Sequence, residues 1–208
     1  MGHNLIAEIP GLDRKSEDEA IVCAHYDTVW TTPGAYDNAS GVVALLALAE
    51  ALVEHPLARP LRLIFFSGEE WHLAGSRAFV EDLNPKELAR VAFVLNVDGI
   101  GRGRLLEVSV GPESFEWNVK RLVDSHGRRN GIRCVTRFPP LPGSDHAPFY
   151  EAGIPAAHLT FNDWQILHRF DDTPNDGSAE NIVYVIDLVL HLLGHLPERA
   201  APRASGVT

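Results

Sequence analysis

The sequence predicts a three-layer α/β sandwich, with a mixed, mostly parallel central sheet and helices on both of its faces. Two observations carry this. Apolar runs at residues 20–24, 61–66 and 91–97 are too short for helices and too continuous for half-exposed strands, as befits strands covered on both sides. They alternate with longer stretches of helical character, the pattern that lays helices against such a sheet. At 208 residues the chain fits one domain and buries about 70% of the surface that its unfolded form exposes. One core within residues 1–197 is expected. The Ala, Pro, Arg, Ser and Gly tail at 198–208 has nothing to bury and is expected to be disordered.

Each element follows in order. Residues 3–9 alternate in polarity and end at Pro10-Gly11, a strand and its turn. After a charged loop at 13–19, the run Ala20-Ile21-Val22-Cys23-Ala24 is a buried strand that delivers His25 at its carboxyl end. Residues 40–55 are apolar around most of the circumference and rich in helix formers, predicting a buried helix capped by Asn38 or Ser40 and stopped ahead of Pro56. The strand at 61–66 ends in Ser67-Gly68-Glu69-Glu70. A helix is expected over 73–83 and a shorter one from Pro85, a residue favoured at the first helical position. The strand at 91–97 ends at Asp98-Gly99, and a fourth covers 105–110. Residues 113–130 have helical spacing with Gly131 as the stop, 132–137 form a strand, and the prolines of 139–143 force a loop. A short helix over 144–152, a strand over 155–161 and a polar loop over 162–177 precede the last helix at 178–196. That helix places Ile182, Ile186, Val189 and Leu193 on one stripe.

Composition excludes several functions. With 45% apolar and 22% charged residues the chain is ordinary for a globular protein, and no apolar stretch reaches the roughly 20 residues of a membrane span. A formal charge of −10, without clustered Lys and Arg, argues against a nucleic-acid surface. Cys23 and Cys134 lack metal-type spacing and are expected to be free thiols. No charged-then-apolar leader follows Met1, so a cytoplasmic location is expected, or a secreted one if the start has been shortened.

In such sheets ligands collect beyond the carboxyl ends of the strands. His25, Asp37, Glu69, Glu70, Asp98 and His168 are placed at or after predicted strand ends, and together they are the oxygen and nitrogen donor set of a two-metal hydrolytic centre. Each has a plainer alternative. Asp37 just before a helix serves equally as a capping acid or a bridging carboxylate. Adjacent acids such as Glu69-Glu70 are usually solvated charge, yet neighbours that project differently can divide metal binding and proton transfer. Asp98 ends an apolar strand, where a charge is costly unless paired or metal-bound. His168 is by itself an ordinary surface histidine. Asp27, two residues after His25, is spaced to hold the imidazole from behind. Of the ten histidines the other eight mostly keep the plainer reading, with His72 and His146 closer to the site and the least settled, and His191 and His195 unsupported by a nearby acid.

Taken in order, His25-Tyr26-Asp27-Thr28, the Gly34 to Gly41 stretch, Gly68-Glu69-Glu70, Asn96-Val97-Asp98, Ser144-Asp145-His146 and His168 with Asp171-Asp172-Thr173 resemble the M28 family of di-zinc peptidases. The resemblance implies that His25 and Asp98 bind one zinc ion, that Glu70 and His168 bind a second, and that Asp37 bridges them. It implies Glu69 as general base, a peptide substrate, a substrate-lining role for Ser144, Asp145 and His146, and a cis peptide bond after Asp37. Two departures stand out. Leu141 occupies the place of a tyrosine that steadies the oxyanion in some relatives. The chain also begins almost at its first strand, where relatives carry a preceding segment; a shortened chain would expose apolar surface for a partner chain, a second copy included, to cover.

Removal of N-terminal residues from peptides is the function expected first. A carboxypeptidase or dipeptidase needs a cation for the free carboxylate, with Arg137 and Arg169 the candidates. A single-zinc glutaminyl cyclase and a metal-free binding relative are disfavoured by the full ligand set. Phe138, Phe149, Phe161 and Trp164 are available for an apolar specificity pocket or for packing.

Overall fold

The computed structural model describes residues 2–13, 16 and 18–197, so the expected disordered tail lies outside the described residues. Its strands are β1 (Leu5–Ile9), β2 (Glu19–His25), β3 (Leu61–Phe66), β4 (Val91–Val97), β5 (Leu106–Gly111), β6 (Cys134–Arg137) and β7 (Ala156–Thr160). They form a single sheet in the order β1-β3-β2-β4-β7-β5-β6. The inner four, β3, β2, β4 and β7, run parallel; β1 is antiparallel at one edge, and β5 with its parallel neighbour β6 runs the other way at the opposite edge. The mixed, mostly parallel sheet is the expected one, and every residue of β2 and β4 at its centre is buried.

Helices α1 (Ser40–Glu54), α4 (Glu113–Asn130) and α6 (Ala179–His195) cover one face; α2 (Ala74–Asp82), α3 (Pro85–Arg90) and α5 (His146–Glu151) lie on the other. On the first face Leu45, Leu48 and Leu52 of α1 pack with Val22, Leu63 and Leu95 of the strands. On the second, the rings of Phe66, Phe79 and Phe149 meet with centroids 5.8–6.1 Å apart. Each such side chain removed from water contributes about 1.5–3 kcal/mol, which is why alternating apolar runs suffice to specify the layers. Residues 35–54 are apolar and long enough to pass for a membrane span by composition, but half of that stretch is buried against the sheet and α6.

Two local expectations shift. The N-cap of α1 is Ala39, whose side chain cannot cap; Asn38 reaches past it to accept from the Gly41 N–H at 3.0 Å. In α6 the buried residues are Tyr184, Val185, Leu188, Val189, Leu192 and Leu193, so Val189 and Leu193 of the expected stripe are buried while Ile182 and Ile186 are only half-buried at its margin. Because β2, β3, β4 and β7 run parallel, the segments that follow them all emerge at the same, carboxyl end of these strands.

Candidate metal centre

His25 is the last residue of β2, Glu69 and Glu70 follow β3, Asp98 follows β4, and His168 sits on the loop after β7. The fifth ligand candidate, Asp37, lies in the tight turn Ala35–Ala39 ahead of α1. The peptide bond that follows it, Asp37-Asn38, is cis. The two oxygens of Asp37 point to different imidazoles: Oδ1 is 3.1 Å from His25 Nε2, and Oδ2 is 3.2 Å from His168 Nε2. His25 Nε2 is also 3.2 Å from Asp98 Oδ1, and His168 Nε2 is 3.2 Å from Glu70 Oε2. Two donor groups result, His25-Asp37-Asp98 and Asp37-Glu70-His168, sharing Asp37.

This arrangement fits a pair of zinc-like ions. A tetrahedral ion with donor bonds of about 2.0–2.1 Å holds its donors roughly 3.3 Å apart. The donor spacings here are close to that. Glu70 Oε1 is buried with no hydrogen-bond partner, a polar atom left for something the protein itself does not supply. The field also asks for positive charge. Burial alone would push the His25 imidazole down, yet Asp98 and Asp37 outweigh it and hold it well above the ordinary range. Asp37 likewise raises His168. Burial would raise Asp98, but the charge of His25 and its hydrogen bond hold that carboxyl below the usual range. A divalent cation meets the same demand that the two imidazolium protons meet.

Supporting contacts fix the donors. The Asp27 carbonyl lies 2.9 Å from His25 Nδ1; a carbonyl can only accept, so Nδ1 carries a proton and Nε2 is the nitrogen that faces the cluster, free to give its lone pair to a metal ion once its own proton is displaced. The expectation that the Asp27 carboxylate holds this ring needs correcting. That carboxylate is 3.8 Å from Nδ1 and instead accepts from the backbone N–H groups of Glu69 and Glu70, at 3.1 and 3.4 Å. A two-residue step folds the side chain away from its own histidine and across to β3. Asp172, wholly buried, accepts from the N–H groups of Tyr36 and Asp37 at 2.7 and 3.2 Å and so sets the turn that aims Asp37.

Ser144, Asp145 and His146 are fully buried rather than at a substrate-lining surface, a second correction. Ser144 Oγ donates to Asp98 Oδ2 at 2.6 Å and accepts from Asn96 Nδ2 at 2.7 Å, which draws the motif beneath the cluster. Their neighbours Leu141 and Gly143 reach the open cavity instead. Burial holds His146 down at about 3, so it is neutral; its Nε2 faces the Leu141 carbonyl at 2.8 Å and its ring stacks on His158. Glu69 belongs to neither donor group, and burial together with Asp98 pushes its carboxyl up to about 9.

The cavity beside the cluster has a volume of about 330 Å³. Besides the candidate donors it is lined by Glu107, Ser109, His158 and Thr160 on one wall and by Leu141, Trp164 and Leu167 at the mouth. Phe149 and Phe161 are core residues, and neither they nor Phe138 reach it. Arg137 pairs with Glu107, Arg169 pairs with Asp171, and neither lines the cavity.

The sequence profile of peptidase family M28 matches residues 4–193. The chain belongs to that family. Among M28 relatives, the aminopeptidase YwaD of Bacillus subtilis (strain 168) is 34% identical over 187 residues, covering 84% of this chain and 40% of its own. Leucine aminopeptidase 2 of Trichophyton equinum is 37% identical over 194 residues, covering 87% of this chain and 38% of its own. The crystal structure of BSAP, a zinc aminopeptidase from Bacillus subtilis, superposes with a TM-score of 0.79 at 31% identity, over 90% of this chain and 48% of that one. This chain therefore spans less than half the length of these M28 proteins.

Proposed function

We propose that this domain is the catalytic unit of a zinc-dependent aminopeptidase that removes N-terminal residues from peptides. The observation that carries the reading is the split carboxylate of Asp37, each oxygen serving a separate donor group, with Glu69 left outside both. His25, Asp37 and Asp98 would hold one zinc ion and Asp37, Glu70 and His168 the other. Bound zinc supplies Lewis acidity: it polarises a carbonyl and lowers the pKa of water near it.

The chain's own groups do the rest. Glu69, its backbone pinned by Asp27, takes a proton from the attacking water and delivers it to the leaving amine. A carboxyl pushed up to about 9 by burial and neighbouring acids holds a proton readily, and cations nearby bring it back toward the range of a working base. Ser144 and the Asp27 carbonyl keep Asp98 and His25 from turning. Leu141 offers no hydroxyl at the mouth, so no tyrosine assists the oxyanion from that position.

The choice of terminus follows from charge. Among the described residues the cavity is lined by Asp37, Glu69, Glu70, Asp98 and Glu107 and by no Lys or Arg. A free α-ammonium is welcome there, whereas a C-terminal carboxylate has no cationic side chain to meet. The test is metal analysis joined to hydrolysis of aminoacyl and N-blocked peptides. About two zinc ions per chain are expected. Glu69→Gln should keep the metal and lose about 10²- to 10⁴-fold in turnover. Faster cleavage of N-blocked peptides at their C-terminus would reverse the assignment of the terminus.

A further inference from the structure

One wall of the cavity is built from the antiparallel pair β5 and β7. Glu107 is paired with Thr160 and Ser109 with His158. Residues two apart on a strand face the same side, so these four polar side chains form one patch. The other side of the same strands carries Val108, Val110, Ala157 and Leu159, all fully buried in the core. Buried polar groups are costly unless hydrogen-bonded; Thr160 Oγ1 donates to the Gly99 carbonyl at 3.1 Å, which leaves the other three to be accounted for.

Charge and shape narrow what they serve. Glu107 is part of the lining, its Oε2 accepting from Arg137 Nε at 2.8 Å, while Arg137 itself lies half exposed and outside the lining. His158 Nε2 is buried and has no hydrogen-bond partner. Leu141, Trp164 and Leu167 add apolar surface to the lining, Leu141 and Trp164 from exposed positions that form a collar toward solvent. An apolar stem ending in a charged head matches a collar that leads to an acid.

We propose that this cavity receives the side chain of the substrate's N-terminal residue and selects a long cationic one, lysine or arginine, with Glu107 as the residue that determines the choice. The inference rests on the aminopeptidase reading for what enters the cavity. Of the aromatic residues considered for an apolar pocket only Trp164 lines the cavity, since Phe149 and Phe161 are buried in the core and Phe138 lies outside the lining, so Glu107 gives the pocket its acidic character.

The experiment compares the binding of lysine hydroxamate and leucine hydroxamate to the zinc-loaded full chain by calorimetry, alongside hydrolysis of lysyl and leucyl p-nitroanilides. The lysine compound should bind about tenfold tighter, the worth of one charge-assisted hydrogen bond. Glu107→Gln should bring the ratio near one. Arg137→Met, which frees the carboxylate of its outer partner, should widen it, and this second variant decides the matter if the first folds poorly. Equal or tighter binding of the leucine compound overturns the proposal, as does a ratio that Glu107→Gln leaves in place or Arg137→Met narrows. If neither anilide is cleaved while the lysine preference in binding persists and follows Glu107, the pocket stands and the peptidase reading falls.

Discussion

Asp145 shows how a single residue's environment can invert its usual behaviour. The side chain is wholly buried, and neither carboxylate oxygen has a hydrogen bond of good geometry, since the nearby Ser76 hydroxyl is committed to the Leu73 carbonyl. Burial pushes its carboxyl up to about 7, with Ser76 and His25 relieving only part. The unfolded carboxyl titrates near about 3.9, so between the two values the folded state binds more protons. Stability from this group is therefore present below about pH 4 and lost as pH rises toward 7, at roughly 1 kcal/mol per unit. In chelator-treated protein, Asp145→Asn should gain on the wild type over that window and level off above it, measured by urea unfolding. A gap between the two proteins that does not change with pH would contradict this. The residues that chemistry marks, His25, Asp37, Glu69, Glu70, Asp98 and His168, stand out in the sequence because acids and histidines after apolar runs are conspicuous. Asp172 was legible only as part of a motif: its work is to accept from two backbone N–H groups 135 and 136 positions away, and no local spacing encodes that. The Asp27 carboxylate misleads for the same reason, its nearest sequence neighbour not being its partner.

At the scale of elements, the turn before α1 and the end of β4 are locked by one side chain. Asn38 Oδ1 accepts from the N–H groups of Gly41 and Gly99 at 3.0 and 3.2 Å, and its Nδ2 donates to the Val97 carbonyl at 3.0 Å. This fixes Asp37 and Asp98, one residue from each contact, relative to one another. The approach leaves no room at Gly41, where a Cβ would lie 2.5 Å from both Asn38 Oδ1 and the Val97 carbonyl oxygen. Gly41→Ala should cost about 1–3 kcal/mol through overpacking and weaken zinc binding by splaying the turn. Gly194, near the end of α6, meets nothing within 4 Å. Gly194→Ala should instead stabilise by about 0.4–1 kcal/mol through helix propensity and a less free unfolded chain. Thermal unfolding of the two variants together checks both signs. Strands and helices were legible to within a few residues because periodicity and Gly or Pro stops are local. The rotation of α6 was not: which of its many apolar residues face inward is decided by α1 and α4 packing beside it, and an apolar surplus leaves the stripe ambiguous.

Across the whole molecule, the two donor groups differ in how firmly the fold prepares them. The first joins the ends of β2 and β4, at the buried centre of the sheet, to the turn that Asn38 and Asp172 hold; His25 and Asp37 are almost fully buried. The second depends on His168, which is half exposed on the loop between β7 and α6 and has a φ of 59°, a left-handed conformation that costs a non-glycine residue energy. A rigid site loses less entropy on binding than one whose loop must be ordered. Zinc should therefore bind in two steps, the first equivalent more tightly. Each site saturated to about a thousand times its dissociation constant adds roughly 4 kcal/mol, or about 8–16 °C for a domain of this size. Chelation should strip the His168 site first and lower the melting temperature in two stages. His168→Ala should abolish the first of these stages and spare the second, while His25→Ala should remove the second, tighter one. A single transition with both ions lost together, or loss of both on His168→Ala, would mean that Asp37 couples the two sites too strongly for either to be filled alone.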